Sequence, residues 1–75
     1  MKTSYFTLGQ THAHRVKNIT LDKDIVVKIT AENPREVMFS MCGDKWGFEY
    51  DKEPNMSYFS RGIIDLSPNT TIEIL

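Results

Sequence analysis

Apolar and polar residues alternate along several stretches of the chain, and one stretch with a period of three to four interrupts them. Ile25, Val27, Ile29 and Ala31 fall on one face of an extended segment, and Val26, Lys28, Thr30 and Glu32 on the other. That is the two-residue period of a strand with one buried and one mostly solvated face, as in a sheet covered by helix on one side. Trp46, Phe48 and Tyr50 alternate with Lys45, Gly47 and Glu49. This predicts a second strand whose three aromatic rings share the core side. Gly47 within it marks close approach by a neighbouring backbone. Ser4 to Leu8 predicts a third strand, with Phe6 and Leu8 on one face and Tyr5 and Thr7 on the other.

Between the first two strands the period changes. Asn33 is a good N-cap, Pro34 suits the first helical position, and Glu36 stands three residues after the cap, as in a capping box. Val37, Met38, Met41 and Cys42 cover one arc of a helical wheel, with Phe39 at its edge and Glu36 and Ser40 opposite. Gly43 closes the pattern. The spacing predicts a helix over about 34–42, too short to persist alone and therefore dependent on packing.

The remaining elements are shorter. An extended segment from about His12 to Val16, a turn at Lys17-Asn18 and a further extended run Ile19–Leu21 read as a hairpin. A polar loop (Asp22–Asp24) follows, and a longer one spans Asp51 to Met56, with Tyr58-Phe59 anchoring it to the core. Gly62–Leu66 and Thr70–Leu75 have strand composition. The expected architecture is α+β: a single domain over 1–75 with a small, mostly antiparallel sheet of four to six short strands and one helix packed on one face.

Length and composition narrow the functions. Seventy-five residues make one domain with a small core. A single cysteine excludes an internal disulfide and a cysteine cluster for zinc. No run has the length of a secretory signal core or a membrane span, which points to a cytoplasmic protein. The net charge of −1 gives no bulk attraction to nucleic acid or anionic membrane. Lys2, Arg15 and Lys17 nevertheless place three cations and no acid in the first twenty residues, so the rest of the chain carries the negative balance.

The stretches YFTLGQTHAH, DKDIVVKI and SYFSRGIIDL together resemble small uncharacterised proteins encoded by bacteriophages and prophages. The likeness rests on Tyr5, Phe6, Gly9, Gln10, His12 and His14 at the start, on Trp46, Phe48 and Tyr50, and on Arg61, Gly62, Ile64 and Asp65. It reaches to about Leu66, with the tail from Ser67 outside it. The resemblance implies a phage-infected bacterial cytoplasm and carries no established activity.

Candidate chemistry is concentrated in Gln10–Lys17. On an extended segment Gln10, His12 and His14 share a face. Two imidazoles there can supply two nitrogens to a transition metal, with Asp65, Glu49 or Cys42 as a third ligand. His-x-His alone is an unspecific pattern, and no cofactor is expected. Cys42, in the last turn of an apolar helix face, is a poor nucleophile because the negative end of the helix dipole opposes its thiolate. No nucleophile elbow and no glycine-rich phosphate loop occurs. The sequence therefore favours a non-enzymatic phage accessory protein that acts by binding protein, either as a homodimer or on a bacterial host protein. Gln10, His12, His14, Arg15, Lys17, Arg61 and Asp65 are the candidate binding residues. The alternatives are a nucleic-acid-binding module using a basic and aromatic face, and a metal-binding protein through His12 and His14.

Overall fold

A computed structural model of the chain describes residues 1–10, 13–16 and 18–68. Among these residues six strands, one helix and one 3-10 turn follow in the order β1 (Lys2–Thr7), β2 (His14–Val16), β3 (Ile19–Leu21), β4 (Val26–Ala31), α1 (Pro34–Cys42), β5 (Phe48–Tyr50), the turn Met56–Tyr58 and β6 (Ile63–Asp65). The expected α+β architecture is present. The strand expected over Thr70–Leu75 lies outside the described residues.

The helix forms where its caps place it. The Asn33 side chain accepts a hydrogen bond from the Glu36 amide at 3.4 Å, and Pro34 opens the first turn. Gly43 ends it with φ +63°, its amide donating to the Phe39 carbonyl at 2.7 Å. Met38 and Cys42 are buried, Val37 and Met41 are half-buried against the core, and Phe39 is exposed. The buried stripe rests on β4 and β1.

Four strands form the main sheet in the order β5-β1-β4-β6. β1 is antiparallel to both of its neighbours, and β6 is parallel to β4. β4, β5 and β6 therefore all run the same way, and two connections must cross the sheet. α1 carries the chain from β4 past β1 to β5. The segment 51–62 returns it from one edge to the other. Crossovers of the usual hand that run in opposite directions lie on opposite faces. Tyr50 on the face away from α1 lines a hollow with Pro54, Tyr58 and Phe59 of the returning segment, in agreement with that rule. β2 and β3 form a separate hairpin, with Asn18 in the left-handed conformation (φ +66°) at its turn.

Register sorts the side chains. Phe6 faces Val27, Ser4 faces Ile29, and Val27 faces Ile64, all on the α1 side. Phe6, Val27, Ile29 and Met38 are fully buried there, joined by Leu8, Leu21, Ile25, Ala31, Cys42 and Leu66. The opposite face carries Tyr5, Thr7, Lys28, Tyr50 and Asp65. Val26 lies there too, yet it is fully buried. The alternation predicted a mostly solvated position for Val26. That expectation is incomplete, because a sheet crossed on both faces leaves its central strand little open surface.

The shared core face expected of Trp46, Phe48 and Tyr50 is overturned. Trp46 packs edge-on against Phe6, with ring centroids 5.1 Å apart and planes at 89°. Phe48 and Tyr50 stand opposite Thr7 and Tyr5 on the other face, 67% and 41% exposed. The cause is Gly47. Its amide donates to the Thr7 carbonyl at 2.7 Å, although Thr7 is already the register partner of Phe48. Two residues of one strand thus meet a single residue of the other, which is the arrangement of a β-bulge, and the extra residue reverses the side-chain parity beyond it. A Cβ at Gly47 would lie 3.1 Å from that carbonyl oxygen. The expectation of a close backbone approach is met at this glycine, and the consequence for the neighbouring aromatics follows from it.

Candidate functional site

The backbone hydrogen bonds show which groups the sheet leaves open. In β4 the Val26 amide donates to Gly62, the Lys28 carbonyl accepts from Leu66, and the Thr30 amide donates to Ser67 Oγ. The even residues of β4 therefore point toward β6 and the odd ones toward β1. Since bonded pairs alternate along an antiparallel ladder, Lys2, Ser4 and Phe6 pair with β4 while Tyr5 and Thr7 pair with β5. Phe48 and Tyr50 thus use their backbone groups on β1, and Glu49 turns its N–H and C=O away from the sheet. Neither has a backbone partner among the described residues.

Exposed aromatic rings flank that open edge. Phe48 and Tyr50 lie 6.3 Å apart on one face. Tyr58, 76% exposed, lines the same hollow as Tyr50. On the other face Phe39 is 56% exposed. It stands one helical turn beyond Arg35, whose Nε donates to Glu49 Oε1 at 2.9 Å and whose guanidinium lies 5.9 Å from the Trp46 ring centroid.

Glu49 is held in place on the α1 side. Its Oε2 accepts from the buried Ser4 hydroxyl at 2.8 Å, and its Oε1 accepts from Arg35. Desolvation works to raise the pKa of this carboxyl, but the hydrogen bonds from Ser4 and Arg35 and the charges of Arg35 and Lys2 outweigh it. The group lies below its ordinary value and is ionised at neutral pH.

Among the described residues, the candidates of the sequence are spread over several elements. His12 and Lys17 lie outside the described residues. The Nε2 of His14 donates to the Lys45 carbonyl at 2.8 Å, tying the hairpin to the segment before β5. Gln10 and Arg15 are exposed. Arg61 serves the hairpin from the other end, donating from Nη1 to the Thr20 carbonyl at 2.6 Å and pairing with Asp22 at 3.3 Å. The Asp22 carboxyl is held below its ordinary range, first by the Asp24 amide and then by Arg61 against some desolvation. Asp65 is on the far face, where the Ser67 hydroxyl and amide donate to it at 2.5 and 2.9 Å. These two bonds, with the charge of Lys28, hold it below its usual value.

Of the three proposed further metal ligands, Glu49 and Asp65 are thus engaged with other partners, and Cys42 is buried with its thiol pKa pushed up by desolvation. Among the described residues no group of three histidine, cysteine, aspartate or glutamate side chains could hold a metal ion. No described helix is long and apolar enough to cross a membrane. The β5 edge, which sequence reasoning assigned to the core, is the feature it missed. The signal was Gly47 between two aromatics, a glycine at a bulge position. Comparison with protein-family models, with curated proteins and with solved structures returns no match to this chain.

Proposed function

We propose that this is a non-enzymatic binding module that acts by protein–protein contact through the open edge of β5. In the setting its resemblance implies, it is a phage or prophage accessory protein of the bacterial cytoplasm. One observation carries the reading: an edge strand whose outward backbone groups have no partner among the described residues is bordered by the exposed rings of Phe48, Tyr50 and Tyr58. An extended segment of another protein adds to such an edge by main-chain hydrogen bonds, and apolar side chains beside it supply affinity. Aromatic residues are enriched in the energetically dominant parts of protein interfaces. The carboxylates at Asp22, Glu49 and Asp65 are occupied by hydrogen bonds within the chain, which favours a structural role for them over acid–base chemistry.

A photo-crosslinking phenylalanine analogue tests this when placed at position 48, with Lys23, an exposed residue of the loop before β4, as the control position. In host lysate, position 48 should give a protein adduct that survives nuclease and is absent from the control. No adduct, or one that nuclease removes, contradicts the proposal.

A further inference from the structure

We infer that the occupant of the β5 edge is a second copy of this chain, paired antiparallel about a two-fold axis at Glu49; this rests on the protein-binding reading above and names its partner. Such an axis makes the edge complementary to itself. Glu49, the residue of β5 that presents its N–H and C=O outward, meets Glu49 of the second copy, so each amide finds a carbonyl. Phe48 then faces Tyr50 of the other copy, and Tyr50 faces its Phe48, on the face away from α1.

The two Glu49 carboxylates would repel across so short a gap if they were bare. Each already carries Arg35 on the same face, and the Arg35 side chain is 67% exposed, whereas that of Glu49 is 18% exposed. Two guanidinium groups and two carboxylates alternate over the axis. The two helices then lie on the same side of one continuous eight-stranded sheet, each presenting Phe39 toward its mate. Exposed rings on both faces of one edge are accounted for together.

The area sets the strength. Phe39, Phe48 and Tyr50 together offer roughly 300 Å² per copy, taking ordinary ring areas. A standard stable interface buries about 800 Å² per partner. The dimer is accordingly reversible, formed from chains whose cores are already complete.

Sedimentation equilibrium from micromolar to millimolar chain tests the register. The wild-type chain should shift from monomer to dimer over that range. Phe48→Lys and Tyr50→Glu, both at exposed positions, should each weaken the dimer about tenfold, since each removes both ring pairs across the axis. An equimolar mixture of the two variants should associate more tightly than either alone, because the mixed dimer keeps one ring pair and gains one Lys–Glu pair of opposite sign. The mixture contains only the same two chains, so its recovery cannot come from a difference in folding. A wild-type chain that stays monomeric throughout overturns the inference, as does a mixture no stronger than its components. If the chain stays monomeric while position 48 crosslinks to a different protein, the second copy is the wrong partner and the protein-binding reading stands. If position 48 captures nothing either, both fall.

Discussion

β4 has a strand on each side and α1 above it, whereas β5 has β1 on one side and, among the described residues, an open edge on the other. Both are short, and both are written in alternating apolar and polar residues. In β4 the alternation is enforced by neighbours, and even the residue on the less covered face, Val26, is buried. In β5 one glycine reverses the alternation and sends Phe48 and Tyr50 out, while Trp46 remains against Phe6. A central strand is specified by what surrounds it. An edge strand is specified by its register with a single neighbour, and one extra residue there exchanges its core and surface sides.

The largest effect that would break this contrast comes from comparing two phenylalanines. Phe6→Ala should cost about 3–5 kcal/mol of stability, the usual loss for a buried aromatic. Phe48→Ala should change stability by less than about 0.5 kcal/mol, as an exposed substitution does. Urea unfolding of the two variants decides it, and equal losses would mean that β5 is scaffold after all. Next in size is Gly47→Ala, whose Cβ would press on the Thr7 carbonyl at 3.1 Å. It should cost about 1–3 kcal/mol, as overpacking does. It should also lower the exposure of residue 48 to surface labelling or alter the Trp46 fluorescence, because relief of the contact requires the bulge to shift. Smaller again is Asn33→Ala, which removes the side-chain cap of α1 and should cost about 1 kcal/mol in the same unfolding experiment.

The smallest effect is the dependence on pH. Asp65 and Glu49 both lie below their ordinary values in the folded chain. A depressed folded pKa means that the unfolded state binds protons more readily, so these groups contribute stability above the unfolded carboxylate pKa of about 4 and lose it as pH falls through the folded values. The midpoint of thermal unfolding should therefore fall on acidification below about pH 4. Asp65→Asn should flatten that decline, and a decline of unchanged slope would remove Asp65 from the account.

Much of the architecture was legible in the residues. Asn33, Pro34, Glu36 and Gly43 bound the helix because capping is local chemistry, satisfied by atoms within a few positions. The period of Ile25 to Ala31 placed β4 correctly because one of its faces is buried by any packing of the helix. The parallel pairing of β6 with β4 was not legible, since it depends on where a chain of twelve irregular residues returns. The described candidate residues are spread over the fold for a related reason. Gln10, His14, Arg15, Arg61 and Asp65 are polar groups of a kind that stands out in a sequence, but His14 binds the Lys45 carbonyl, Arg61 binds Thr20 and Asp22, and Asp65 binds Ser67. His14 and Arg61 each tie one segment to another, and Asp65 holds a local turn two residues on. The edge of β5 is built instead from aromatic residues that alternation assigns to the core, and only the Gly47–Thr7 contact reveals otherwise.

Amide hydrogen exchange at Glu49, measured against chain concentration, tests the central claim most directly. The Phe48 and Tyr50 amides face β1 and should be protected at every concentration, while the Glu49 amide should exchange quickly in dilute solution and become protected as the chain is concentrated or a protein partner is added. A Glu49 amide protected at all dilutions, or one that stays fast under every condition, would contradict the account of β5 as an open binding edge.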